Sequence, residues 1–336
     1  MTNLKETINW KRKIPTPGLA ALVTGGAGFI GSNLVKRLVE KGFAVDVVDD
    51  FSNGHKEFLE DVRDRVKVYK MDFADKIILS NIMSGKYDII FHEAAIPRVS
   101  FSCEEPSFTT DVNIGKTVKL MEAAVRQSSR EDCETNMPRF VFASSSSVYG
   151  GADTMPTHET ETKKPVSPYA LQKSVIEDFC KLFYNLYGLE SACLRYFNVF
   201  GPNQYGDSPY STAVSAWCDA VKHGKPLRSD GDGEQTRDLC YVDNVVDANL
   251  IVALSEETFK GDCFNVACGD RTSNNEILEY FKKKFHGIEI VHAPERAGDV
   301  KHTQADISKL EKLGYKPNIK FWDGLEKTIE WWGLKG

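Results

Sequence analysis

The 336-residue sequence has no apolar run approaching the 18 or so residues of a membrane helix, so no span is predicted. It lacks a basic excess: 42 Lys and Arg against 48 Asp and Glu leave a net charge of −6. That balance argues against a general nucleic-acid-binding surface and leaves only local basic pockets. Paired cysteines are missing too. None of the 8 stands in a C-x-x-C pair, and Cys180, Cys193, Cys240 and Cys263 fall inside expected strands or helices. Reduced, buried thiols fit this pattern better than a disulfide framework or a metal site. There is no N-x-S/T sequon, no internal repeat and no low-complexity tract. The opening "MTNLKETINWKRKIPTPG" is polar and basic without an apolar centre, which predicts no secretory signal and a cytoplasmic protein.

What the chain does contain is alternation. "LAALVTG", "FAVDVVDD", "RVKVYKMDF", "YDIIFHEAA", "RFVFASSSS" and "ESACLRYFNVFG" are short runs of the kind buried in parallel sheets. Between them, "FIGSNLVKRLVEKG", a segment from about 111 to 126 and the stretch opening at Tyr169 carry helical periodicity. The expected fold is α/β, a doubly wound parallel sheet with right-handed crossovers. Past Gly201 the elements shorten and loops such as "GPNQYGDSPYS" intervene. Residues 1–201 are therefore assigned to the sheet domain, with about 237–254 returning to it, and 202–336 to a smaller α/β substrate lobe.

Between the first strand and helix, "VTGGAGFIG" spaces Gly25, Gly28 and Gly31 as G-x-x-G-x-x-G. Such glycines permit a tight turn, close approach of amides to a pyrophosphate, and close helix–sheet packing. A bare glycine pattern is weak, but this one has the strand–turn–helix context it requires. The next strand ends in Asp49 and Asp50, where a carboxylate accepts bonds from a ribose diol and repels a 2′-phosphate. NAD rather than NADP is the expected cofactor.

"FVFASSSSVYG" runs an apolar strand into Ser144 to Ser147, at the edge where open α/β sheets place ligands. Tyr169 and Lys173 then share one face of a helix at i and i+4. A tyrosine is a poor base at its usual pKa of about 10, but a nearby ammonium and a cationic nicotinamide both favour the phenolate. Tyr280 and Lys284 repeat the spacing in "EYFKKKF" without the glycines, the serines or a preceding turn, and read as a core tyrosine beside a solvated face. His92, inside a strand, reads as a packed core histidine.

In this order, "TGGAGFIG", the acidic strand end, "SSSSVYG", "SPYALQK" and "RYFNVFGP" resemble an extended short-chain dehydrogenase/reductase. The likeness runs from about Leu19 to Trp332, and "GDGEQTRDLCYVDNV", "FNVACGDRT" and "ERAGDVKHTQADISK" bring it nearest the UDP-hexose 4-epimerases, particularly those that accept N-acetylhexosamines. The resemblance implies a Rossmann-type domain binding NAD, a UDP-sugar substrate and a homodimer built from helices near 111–127 and 169–187. It implies that Tyr169 is the base, Lys173 its tuner and Ser145 the hydroxyl on the sugar's 4-oxygen, with Ser146 and Ser147 lining the same site. Cofactor contacts are implied at Gly25, Gly28, Phe29, Ile30, Gly31, Asp49, Asp50, Ser52, Asn53, Gly54, Asp72, Phe73, Ala94, Ala95, Ile96, Asn113 and Tyr196. On the substrate side, Asn198, Arg237 and Arg296 match diphosphate ligands, Asp299 a uridine-ribose contact, and Thr212 and Ala213 the uracil pocket.

Related dehydratases and decarboxylases typically carry an acid where Ser146 and Ser147 stand, so the resemblance favours epimerisation at C4. Thr303 matches a position where the family varies between tyrosine and small residues, and a small residue leaves room for an N-acetyl group. Arg98, in "AAIPRVSFS", departs from the pattern and raises the alternative of a uronic-acid nucleotide. A dehydratase or decarboxylase, and an NAD-binding regulator without catalysis, are the other readings. The intact Tyr169, Lys173 and Ser145 argue against the regulator.

Overall fold

Six of the short runs become parallel strands in a computed structural model that describes residues 18–126, 137–206, 212–295 and 300–335. They are β1 (Ala20–Thr24), β2 (Ala44–Asp49), β3 (Val66–Lys70), β4 (Ile89–His92), β5 (Arg139–Ser145) and β6 (Ser191–Tyr196). Short pieces follow: β7 (Asn198–Phe200), β8 (Leu227–Asp230), β9 (Thr236–Arg237) and β10 (Leu239–Tyr241). After them come β11 (Lys260–Val266), β12 (Thr272–Ser273) and β13 (Ile290–Ala293). The main sheet has seven strands in the order β11-β6-β5-β4-β1-β2-β3, all parallel. Strand order reverses between β1 and β4, so a crevice opens at their carboxyl ends, where such sheets bind ligands.

Burial explains the sequence pattern. The central β4 and β6 are buried along their whole length, and the polar residues they carry, such as His92 and Arg195, are hydrogen-bonded inside. The edge strand β3 is mostly exposed and carries Lys67 and Lys70, which discourage edge-to-edge pairing. Helices cover both faces. On one side α1 (Phe29–Glu40) buries Leu34 and Leu38 in a core that also holds Val245 and Val252. On the other, α2 (Lys76–Met83) buries Ile78 and Ile82. Each such side chain contributes roughly 1.5–3 kcal/mol through burial. Cys180, Cys193, Cys240 and Cys263 are buried free thiols.

Two departures shape the site. The helix expected over 111–126 begins earlier, as α3 (Val99–Glu104) and α4 (Pro106–Thr110), and passes through a π-helical stretch at Asp111–Lys116 before α5 (Thr117–Arg126). Within the widened turn Asn113 reaches back to the backbone of Ile96, accepting from its N–H at 2.8 Å and donating to its carbonyl at 3.2 Å. The run "ESACLRYFNVFG" is also not one strand. It leaves the sheet at Phe197, and β7 pairs instead with β10.

The next helices are α6 (Pro168–Tyr187), α7 (Ala213–Lys222) and α8 (Val242–Leu254). Past α8 the chain adds β11 to the main sheet, although this segment lies within the stretch expected in the smaller lobe. Of the remaining helices, α9 (Asn274–Lys284) packs on β12, α10 (Ser308–Glu311) on β11 and α11 (Phe321–Trp331) on β10. Among the described residues no helix is long and apolar enough to cross a membrane.

Candidate active site

The glycine turn occupies the end of β1. Gly25 has a φ of +67°, and a Cβ there would lie 2.8 Å from the Ala94 backbone. A Cβ on Gly31 would lie 2.2 Å from the Gly25 carbonyl oxygen. Both contacts are too close for a side chain, so the turn holds the backbone cradle that a pyrophosphate needs. Gly28 precedes α1, and Phe29 and Ile30 form its first turn. Asp49 accepts from the Ala27 amide at 2.9 Å and the Phe51 amide at 2.8 Å. Burial pushes its carboxyl above the ordinary range despite these two bonds. Asp50 accepts from Ser52 in an exposed turn, and Gly54 lies against the Asp49 carboxylate.

The second wall of this half is equally tied. Asp72 pairs with Lys116 at 2.5 Å, and Phe73 is buried edge-on to His92. His92 itself lies between the hydroxyls of Thr24 and Thr117, at 2.7 and 2.8 Å, and burial drives its pKa down to about 3. It is a neutral core histidine. The Ala94 amide donates to Thr24, Ala95 follows it, and Ile96 is held by Asn113, which also donates to Gln172 on α6. Arg98 donates to Asn53 at 2.9 Å, linking this loop to the Asp49 turn.

Helix α6 delivers the candidate pair. The Ser167 side chain caps its first turn through the Ala170 amide, and Pro168 sits at the first helical position, where its missing N–H costs nothing. The Tyr169 phenol lies beside Ser145, whose hydroxyl favours the phenolate. Ser145 also accepts from the Ser147 amide at 3.1 Å, closing the turn after β5. Ser144 points away into the core, donating to Glu177, whereas Ser146 and Ser147 stay half-buried in the turn. Of these serines, Ser145 is the one that meets Tyr169. Lys173 donates to the Ala143 carbonyl at 2.6 Å and lies 5.8 Å from the centre of the Tyr169 ring.

The electrostatics of the pair are governed by burial. Burial pushes the Tyr169 phenol up to about 12, against the Ser145 hydroxyl that lowers it, and Glu93 adds to the rise. Burial likewise draws Lys173 down to about 8. Lys173 is aimed at a carbonyl rather than the phenol oxygen, so its ammonium alone does not make the phenolate. A cationic nicotinamide has to contribute as well.

The substrate side is more open. Tyr196 is buried at the end of β6, and Asn198 begins β7. Thr212 bonds Gln204 and Ser215 where Ala213 starts α7. Arg237, on the two-residue β9, donates to the carbonyls of Thr236 and Lys301. Thr303 accepts from the Asp238 amide at 3.2 Å, so it stands beside that arginine. Arg296 and Asp299 lie outside the described residues. Of the other pair, Tyr280 is half-buried rather than in the core, its ring tilted against Trp322, and Lys284 bonds Glu326.

A family model described as the NAD dependent epimerase/dehydratase family matches residues 21–267. The chain belongs to that family. Within this NAD-dependent epimerase/dehydratase family it is similar to UDP-sugar 4-epimerases, and it is an isomerase. A putative UDP-glucose 4-epimerase of Methanocaldococcus jannaschii is 34% identical over 92% of this chain and 97% of its own. A UDP-N-acetyl-alpha-D-glucosaminuronate decarboxylase of Bacillus cytotoxicus is 31% identical, covering 92% of this chain and 96% of the relative. Among solved structures, the UDP-N-acetylglucosamine 4-epimerase of Methanobrevibacter ruminantium, in complex with UDP-N-acetylmuramic acid, superposes with a TM-score of 0.86. It is 34% identical and covers 94% of this chain and 98% of its own.

The structure of this family member also brings in residues that motif reading passed over. Glu177, one turn beyond Lys173, takes both prongs of the Arg195 guanidinium at 2.8 Å each, and Arg195 also donates to Tyr149. Burial raises the Glu177 carboxyl, but the fork and the Ser144 hydroxyl offset it and leave the net direction downward. This network ties the Tyr169 helix to the serine turn. Its spacing was the available signal: Tyr169, Lys173 and Glu177 recur at four-residue intervals on one face. Glu93, an acid closing the apolar run "IIFHE", was likewise passed over.

Proposed function

We propose that this enzyme interconverts UDP-GlcNAc and UDP-GalNAc by epimerisation at C4, with UDP-glucose and UDP-galactose as further substrates. The observation that carries the reading is Tyr169 beside Ser145 at the crevice, one helical turn from a Lys173 held on the Ala143 carbonyl, with serines rather than acids at 146 and 147. Tyr169 takes the proton of the 4-hydroxyl, Ser145 holds the 4-oxygen, and Lys173 supplies positive charge to the phenolate and binds the cofactor ribose. NAD, when bound, accepts the C4 hydrogen as hydride and later returns it. The glycine turn and the Asp49 loop fit that group. After the 4-keto sugar turns over in the site, the proton returns from Tyr169 and the configuration at C4 is inverted. Nothing is consumed, so NAD stays bound through turnover.

The preference for acetylated sugars rests on Thr303, whose small side chain stands beside Arg237. Arg237 is a diphosphate ligand together with Asn198, since guanidinium forks match phosphate oxygens. Arg98 bonds Asn53 on the cofactor side, so it does not stand as an uncommitted partner for a sugar carboxylate. A homodimer is supported by α6, which leaves Leu171, Leu182, Leu186 and Tyr187 exposed on its outer face.

An NMR time course of the protein with UDP-GlcNAc, UDP-glucose or UDP-glucuronate, without added reductant, tests the reaction. The galacto-epimer of the first two is expected. A 4-keto-6-deoxy sugar or a pentose would overturn the reading of Ser146 and Ser147. Thr303→Tyr is expected to lower acetylated-sugar turnover selectively, and an unchanged ratio of acetylated to plain activity would sink the gatekeeper role.

A further inference from the structure

One ionisable side chain at the crevice has no part in the chemistry above. Glu93 follows β4 directly, at the reversal point of strand order, and the glycine turn backs onto it: a Cβ on Gly25 would lie 3.1 Å from the Glu93 carbonyl carbon. Its carboxylate accepts from the Tyr196 hydroxyl at 2.8 Å, and that hydroxyl accepts from Asn249 on α8 at 2.7 Å. A three-residue chain from three elements therefore fixes an acid in the floor. The next strand, β5, carries Ala143, whose carbonyl holds Lys173, and then Ser145, beside Tyr169. The ionisable groups that act with Glu93 are Lys173 and Tyr169 of α6 and Tyr196 of β6, while neighbouring His92 is neutral.

We propose that Glu93 is the counter-charge of the buried reaction centre, a positioning residue that balances Lys173 and favours the oxidised, cationic nicotinamide over the reduced, neutral one. This rests on the site reading above. With Tyr169 a neutral phenol and Glu93 ionised, the ammonium, the oxidised pyridinium and the carboxylate sum to +1, and reduction of the cofactor brings the sum to zero. Without Glu93 the same two states carry +2 and +1, and the oxidised state, with two like charges in a desolvated site, suffers the more. Burial pushes the Glu93 carboxyl up to about 7, while the Tyr196 bond and the Lys173 charge pull it down. A bound cation draws it further toward the anion.

The test is a redox titration of the holoenzyme at pH 8, following bound nicotinamide by its near-ultraviolet absorbance against mediator dyes. Glu93→Gln keeps the shape and an acceptor for Tyr196 but removes the charge. It is expected to shift the oxidised-to-reduced ratio at a given potential by roughly tenfold toward the reduced form. That is a midpoint about 30 mV more positive for a two-electron couple. Glu93→Asp, which keeps the charge, is expected to restore most of the wild-type potential. An unchanged potential in Glu93→Gln, or equal shifts in both variants, would overturn the proposal. Failure of the site reading shows elsewhere: Tyr169→Phe would then turn over normally, whatever the potential does.

Discussion

Around the glycine turn, nearly every polar group named has a fixed protein partner: Asp49 holds two amides, His92 two threonines, and Asn113 both Ile96 and Gln172. Across the crevice the parts are lighter. Arg237 sits on a two-residue strand and is tied to backbone carbonyls, and Thr303 is held through the amide of Asp238. The cofactor half is a closed framework, suited to a group that never leaves. The other half has short pieces that can admit and release a substrate each cycle. Rigid elements hold reacting groups better than loops do, which accounts for Tyr169 and Lys173 riding on the twenty-residue α6.

The largest effect expected from this contrast lies at the junction of the halves. Tyr169→Phe should lower turnover by about 10²–10⁴-fold, the usual worth of a general acid–base group, with NAD content unchanged in the purified protein. Loss of NAD along with turnover would show that the junction is part of the cofactor framework instead. Next, Arg237→Ala removes a charged hydrogen-bonding partner worth roughly 1.5–3 kcal/mol. It should raise KM for the UDP-sugar by about 10–100-fold and leave the urea midpoint of unfolding in place. A large drop in that midpoint would mean the open half is structural after all.

A smaller effect probes the closed half. His92 is depressed to about 3 when folded and titrates near 6.5 when unfolded. Its contribution is thus present above about pH 6.5 and is lost as pH falls toward 3. Going from pH 7 to 5 should cost about 2 kcal/mol through this group alone. In His92→Gln, whose amide can still bond both threonines, that slope should vanish, so the stability gap to wild type narrows by the same amount. A constant gap in urea titrations at the two pH values would refute the linkage.

The sequence reading and the structure part company at particular residues. "FIGSNLVKRLVEKG" and "SPYALQKSVIEDF" announced α1 and α6 because apolar periodicity and capping residues act locally. The π-helical stretch at Asp111–Lys116 left no such mark, since it answers to a hydrogen bond between Asn113 and a loop 17 residues away. The exit of the chain from the sheet at Phe197 was equally silent, because the partner of β7 is β10, some forty residues on. Motif order placed Ser145, Tyr169 and Lys173 together, but not the direction of Lys173, which follows from the Ala143 carbonyl.

By itself, then, the sequence determined the alternation of strands and helices, the glycine turn, the acid after β2 and the helix face shared by Tyr169 and Lys173. These depend on neighbours within one or two helical turns, or on residue types that chemistry dictates. Only the tertiary structure decided that Glu177 and Arg195 brace the pair, and that Glu93 is held by the Tyr196 hydroxyl. Each of these depends on strands distant in sequence being brought side by side, and on burial, which no local pattern encodes.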